Sequence, residues 1–439
     1  MNRNIKCLSA ALLAIGLTAG FNPASAQTNG SNSPYSRYGL GLLSDGAQGF
    51  NKGMAGVGYA MRAGKDLNVK NPASYSALDS LNFIFDTGIS LQNANLKQGG
   101  TKVNAHNTSL DYFSMGFRIA PHVGFSLGLM PYSTIGYDTT NEYVMPDNRD
   151  VTQTDNYKGD GGLHQVYIGA GWQVLPNFSI GANVGYLWGD MTHTVLSQFS
   201  QSTIASSRRQ YTTDIRTYKV DFGVQYEYRL GRRNSLLFGL TYGLGHDIDS
   251  KSLLYNQKVE SGSALGDTLV AHKAYALPQT LGAGVTWQWS NSLRVGFDYT
   301  FQKWTDVRSP VLSTLADGTY RYAAEKGQYD DMHRYALGVE YVGDPDALRW
   351  WRLVRYRFGV AYTTPYARID GRKGPKDYLV SLGASLPIIN RYNNRSLLNL
   401  AVQYEHVKPS MPGMITERYL RLCVGLSFNE RWFQKWKVQ

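Results

Sequence analysis

The chain has 439 residues, a formal charge of +11, 13% aromatic residues with 31 Tyr, 46 Gly and only 2 Cys. So few cysteines exclude a disulfide scaffold and a cysteine-built metal cluster. The basic excess is no nucleic-acid signature, because Arg/Lys occurs without a dense block and the pairs at 208–209 and 232–233 fall in predicted connections.

Residues 1–26 read as a secretory signal peptide. Arg3 and Lys6 precede the apolar run "CLSAALLAIGLTAGF", and Ala24-Ser25-Ala26 forms an A-x-A cleavage site before Gln27. The run is short of the roughly 20 residues that span a bilayer. Cys7 precedes it instead of ending it, which argues against a lipoprotein, and cleavage leaves Cys423 alone. No later stretch approaches about 18 uninterrupted apolar residues, which excludes helical spans but not a membrane barrel, whose strands show only alternate residues to lipid.

Residues 27–80 alternate poorly and are rich in Gly, Ser and Asn, yet Phe50, Met54, Val57, Tyr59 and Met61 give them enough apolar surface to be compact. They are expected to form a plug inside a barrel. Barrels of about 8 strands fill with side chains and those of 16–18 leave a channel, so an intermediate size needs a plug to stay closed.

From residue 81 to 428 the period is two. In "YKVDFGVQYEYRL", Tyr218, Val220, Phe222, Val224, Tyr226 and Tyr228 oppose Lys219, Asp221, Gly223, Gln225 and Glu227. Such runs recur near 81–95, 104–120, 123–137, 162–175, 178–194, 210–230, 235–248, 272–289, 292–305, 329–343, 353–367, 377–387, 396–407 and 415–428. Tight turns at 121–122, 176–177, 231–234 and 290–291 alternate with long polar loops at 138–161, 195–209, 249–271 and 306–328. That asymmetry predicts an all-β fold, a transmembrane antiparallel β-barrel of about 14 strands in a bacterial outer membrane. Its charged inner residues, among them Arg294, Asp298, Arg334, Glu340, Arg355, Arg357 and Arg421, are expected to face a wet lumen and pair across strands.

The segment "GMAGVGYAMRAGKD" followed by "NPASYSALDS" carries a resemblance. Asn71-Pro72-Ala73 resembles the Asn-Pro-Ala signature of the long-chain fatty acid transporter (FadL-like) family of outer-membrane proteins, in the form of a Bacteroidota-type member, and the preceding glycines resemble that family's hatch. The resemblance implies a 14-stranded barrel plugged by an N-terminal hatch that moves hydrophobic molecules across the outer membrane, with Asn71, Pro72 and Ala73 at the gate. Read from residues alone, the same tripeptide is a turn that ends the hatch and starts the first strand, and both readings can hold together. The family's third strand kinks inward and opens a side window, which implies such a kink at Gly128, Met130 and Pro131. Pro131 cannot donate a ladder hydrogen bond, so it forces an edge, a bulge or a kink, or else sits near the outer rim.

The last strand is expected to end at Phe428, an aromatic suited to recognition by the barrel assembly machinery, and residues 429–439 to form an amphipathic interfacial tail with Trp432, Phe433 and Trp436 among Arg431, Lys435 and Lys437. The histidines show no H-E-x-x-H spacing and no G-x-S-x-G elbow occurs, so neither an enzyme nor a cofactor is expected. Two functions compete. One is a channel or transporter for hydrophobic molecules such as long-chain fatty acids, with a lateral exit near strand three; the other is a non-transporting scaffold for secretion or surface-partner assembly. Expected partners are outer-membrane lipid, a hydrophobic small molecule and the barrel assembly machinery, with no nucleic acid and the chain acting as a monomer.

Overall fold

Alternation on this scale closes into a single sheet. The computed structural model describes residues 31–146, 148–201, 203–260, 263–344, 349–388 and 396–431. Its 14 barrel strands are β1 (Asn82–Gln98), β2 (Thr101–Ala120), β3 (Val123–Val144), β4 (Thr152–Leu175), β5 (Phe178–Phe199), β6 (Ser206–Arg229) and β7 (Asn234–Gly243). They continue with β8 (Gln279–Trp289), β9 (Leu293–Lys303), β10 (Met332–Val342), β11 (Arg355–Thr363), β12 (Lys376–Ile388), β13 (Ser396–Lys408) and β14 (Thr416–Arg431). Each pairs antiparallel with the next, and β14 returns to β1 with Phe85 opposite Phe428. Closure gives every strand two neighbours and, apart from one gap between β2 and β3, leaves no open edge in hydrocarbon, where an unpaired amide costs several kcal/mol.

The outward rows are apolar. Leu240 is 60% exposed and Leu382 59%, which is tolerable only where the outer face meets lipid. The barrel is an outer-membrane barrel.

The strands differ in height. β8 to β10 have 11 residues each, near the 9–11 needed to cross a bilayer, whereas β3 to β6 have 22, 24, 22 and 24. Residues expected in long loops therefore extend the wall instead: 138–144, 152–161, 195–199 and 206–209 are strand. Above the membrane no lipid meets the outer face, so nothing enforces the apolar-out, polar-in alternation that marks the lower halves. The remaining loops also fold. The hairpin Lys251–Glu260/Ser263–His272 extends the sheet from β6, and Ser309–Thr314 pairs with Tyr320–Glu325. Beneath them Trp304, Tyr275, Tyr329 and Leu277 form a buried apolar cluster.

β14 runs to Arg431, three residues past the expected end at Phe428; the rest of the expected tail, 432–439, lies outside the described residues, as does the signal peptide.

Candidate functional site

Residues 31–78 thread the lumen. They contain short 3₁₀ turns at Pro34–Arg37 and Pro72–Ala77 and one helical turn at Gly49–Lys52. Little regular structure can satisfy their backbone, so the barrel's inward side chains do so. Asp298 accepts from the amides of Gly58 (2.7 Å) and Tyr59 (3.0 Å), Ser381 from Ala55 (2.8 Å), and Tyr112 Oη from Gly49 (2.7 Å).

The wall in turn makes room for that backbone. Gly124, Gly171, Gly181 and Gly223 stand in direct register across β3 to β6, and Gly296, Gly338 and Gly359 across β9 to β11. An added Cβ would collide with Tyr75 O at Gly124, with Pro72 at Gly171 and Gly181, with the Asn71 side chain at Gly223 and with the Met54 backbone at Gly359. The lumen segment is seated against rows of glycine.

Asn71, Pro72 and Ala73 lie on the first of these rows. Asn71 is fully buried; its Oδ1 accepts from Ala73 N (3.1 Å) and its Nδ2 donates to Tyr59 O (2.8 Å) and Val224 O (3.1 Å). One side chain thus caps the Pro72–Ala77 turn and ties it to the 59–61 stretch and to β6.

The charged inner residues form separate groups. Near the turn end, Glu340 accepts from Arg357 Nε (2.7 Å) and Arg294 Nη1 (3.2 Å), while Arg355 donates to Asp66 (2.7 Å). Higher up, Asp298 faces Lys70 (3.9 Å) and Arg334 faces Asp45 (3.5 Å). Arg421 pairs with Glu405. Burial alone would push the Asp45 carboxyl up, but Arg334, Lys52 and the Ala47 amide outweigh it and hold it at about 2. Lys70 is lowered to about 8 by burial, against the pull of Asp298. Sequence reasoning missed Asp45, Lys52, Lys70 and Asp111, whose partners are remote in the chain.

Between these groups lies a cavity of about 760 Å³. Apolar Leu42, Leu110, Leu129 and Met332 share its lining with Lys52, Arg334, Asp377, Glu405 and Arg421, so it is neither purely apolar nor filled by ion pairs. It reaches the wall between β2 and β3, where the ladder is incomplete. β2 pairs with β3 only up to Phe113 opposite Leu129, although β2 stays paired to β1 up to Thr101 and β3 to β4 up to Val144.

Both lips of this seam carry a bulge at the same level. Asp111 is the extra residue of β2 and Tyr132, directly after Pro131, that of β3. Bulges of this kind end pairing and re-aim side chains. Gly128 is buried just below, Met130 and Pro131 line the cavity, and this group lies apart from Asn71-Pro72-Ala73. From inside, Leu42–Leu43 pairs antiparallel with Ser133 and Thr134, Ser36 Oγ accepts from Gly136 N (3.1 Å), and Asn32 bonds Asn107 of β2 (3.1 Å).

The family model described as BamG matches residues 5–439. The chain belongs to the BamG family. That is a different family from the one its hatch motif resembles, and the likeness to the latter is one of fold. This BamG-family barrel is similar to the Ralstonia pickettii toluene transporter TbuX at 12% identity, covering 87% of this chain and 98% of that one with a TM-score of 0.57. It is also similar to a Pseudomonas aeruginosa FadL homologue (13% identity, 88% and 99% covered, TM-score 0.59) and to the Pseudomonas putida toluene transporter TodX (14%, 91% and 100%, 0.58). No curated protein matches the chain.

Proposed function

We propose that this barrel passes hydrophobic or amphipathic small molecules between its lumen cavity and the bilayer, sideways through the seam between β2 and β3. The observation that carries the reading is the ladder ending at Phe113 and Leu129, inside the membrane span, with residues from both lips lining the cavity. An apolar solute leaving there enters hydrocarbon without crossing water. The lumen segment, clamped by the glycine rows, blocks the axial path, and Leu42–Leu43 acts as the movable cover of the seam. The similar solved structures are named as toluene transporters and a FadL homologue, in keeping with such a role.

Leu43 and Ser133 are register partners, so Leu43→Cys with Ser133→Cys, in a Cys423→Ser background, should form a disulfide that fixes the cover. In proteoliposomes the oxidised variant should take up labelled fatty acid or toluene at least tenfold more slowly than the reduced one. Equal uptake in both states would overturn the reading.

A second reading is that the barrel is a non-transporting scaffold beside the barrel assembly machinery. The family's name points that way, and a lumen segment ion-paired to the wall suits it. Reduced levels of other outer-membrane barrels in a deletion strain, with unchanged uptake, would select this reading.

A further inference from the structure

β3 continues far above the seam. About 9–11 residues cross a bilayer, so of its 22 residues those from Thr134 upward stand outside it. There β3 is one margin of a tall sheet that runs through β4, β5 and β6 into the hairpin Lys251–Glu260/Ser263–His272. Among the described residues, the N-terminal segment's backbone pairing and hydrogen bonds to its other side end at Gly136, no ladder partner meets Tyr137–Val144, and Asn141–Val144 is exposed throughout.

The polarity of this free edge follows from the contacts below it. Gly136 N turns toward Ser36, and Tyr132 O, one residue before the Leu43–Ser133 pair, accepts from Ser44 N (2.9 Å), so even-numbered residues face the free side. Asp138, Thr140, Glu142 and Val144 therefore present their amides and carbonyls outward, while odd-numbered residues bond to β4. The sequence Asp138-Thr-Thr-Asn-Glu-Tyr-Val144 holds no Pro or Lys to blunt the edge and is rich in strand formers. The intact β4 ladder, to Val144 opposite Thr152, holds it extended.

We propose that Asp138–Val144 binds an extended polypeptide segment of another protein as an added antiparallel strand. The same edge already accepts such a strand in cis, Leu42–Leu43, which shows that it pairs through its backbone and in the antiparallel direction. Asp138, Thr140 and Glu142 share one exposed face, so the added strand carries Lys or Arg opposite the two carboxylates and Thr or Val on its other face. The inference is independent of whether the seam passes small molecules.

The test uses the detergent-solubilised full chain and a fluorescent nine-residue peptide alternating Lys with Thr or Val, read by anisotropy. Thr140→Pro removes one outward donor without cutting a bond to β4. Saturable binding by the parent, at least tenfold weaker in T140P, is expected, and Asp138→Lys with Glu142→Lys should shift preference to a Glu-bearing peptide. T140P must keep its heat-modifiable migration; should it fail to fold, Glu142→Pro takes its place. Equal binding by parent and proline variant, or binding that follows peptide charge alone, overturns the proposal. So does a concentration-dependent dimer abolished by T140P, which assigns the edge to a second copy of this chain.

Discussion

Lys52 Nζ lies 2.9 Å from Asp111 Oδ2, tying the lumen segment to the bulged residue on the β2 lip of the seam. Both side chains are nearly buried, so removing one leaves the other charge without its partner. Asp111→Ala should cost about 1–3 kcal/mol, read as a lower temperature for the heat-modifiable shift on gels. Asp111→Ala with Lys52→Met should recover most of that loss.

A larger effect is expected at the turn end. Glu340 and Arg357 are 3% and 4% exposed and meet through two nitrogens. Arg357→Met leaves a buried carboxylate with Arg294 as its remaining charged hydrogen-bond donor, and should destabilise the barrel by about 3–5 kcal/mol. Urea unfolding in detergent micelles checks it, and an unchanged midpoint would contradict the burial described.

Steric seating predicts a different failure. Gly359→Ala sets a methyl against the Met54 backbone, which cannot yield as a side-chain tip would. The overpacking should cost about 1–3 kcal/mol and expose the 49–61 stretch to limited proteolysis. Gly343→Ala, where the nearest atom is 3.6 Å away, is the control and should behave as the parent.

Loosening the Asn71 junction should act on closure more than on assembly. Asn71→Ala removes an acceptor and two donated hydrogen bonds, and Pro72→Gly frees φ at the next residue. Both variants should reach the outer membrane in heat-modifiable form yet raise small-solute conductance in planar bilayers. Parental conductance would mean that the glycine rows alone keep the segment seated.

Acid should release Asp45. Its carboxyl is held at about 2 against an ordinary value of 3.8, so its contribution is fully present above about pH 4 and lost as pH falls through 2. Between those limits the parent should lose stability more steeply than Asp45→Asn. Identical acid profiles would show that the Arg334 contact contributes nothing.

The lower barrel is plain in the sequence because lipid and lumen impose opposite demands on neighbouring residues, as in Tyr218 to Tyr228. Asp138–Val144 escaped notice because water on both faces imposes none, and Thr152–Gly161 because its inward Asp155 and Gly159 are no more apolar than its outward row. Asn71 could be read as a cap from its own neighbours. Lys52 and Asp111 could not, since only the barrel's register brings them together. The glycine rows left a trace in the inward positions of Gly223, Gly296 and Gly359, but a row exists only once the strands are aligned.

Those rows also constrain the order of assembly. The backbone of 49–78 occupies volume that side chains would otherwise fill, and Tyr59 and Tyr75 project from it into the wall. A segment so keyed cannot be threaded into a finished cylinder. It is made first, and it has to be in place while β1 and β14, from opposite ends of the chain, are still apart. Their pairing is then the slow, non-local step, and a hatchless barrel that has already closed should stay empty when the missing segment is supplied later as a separate peptide.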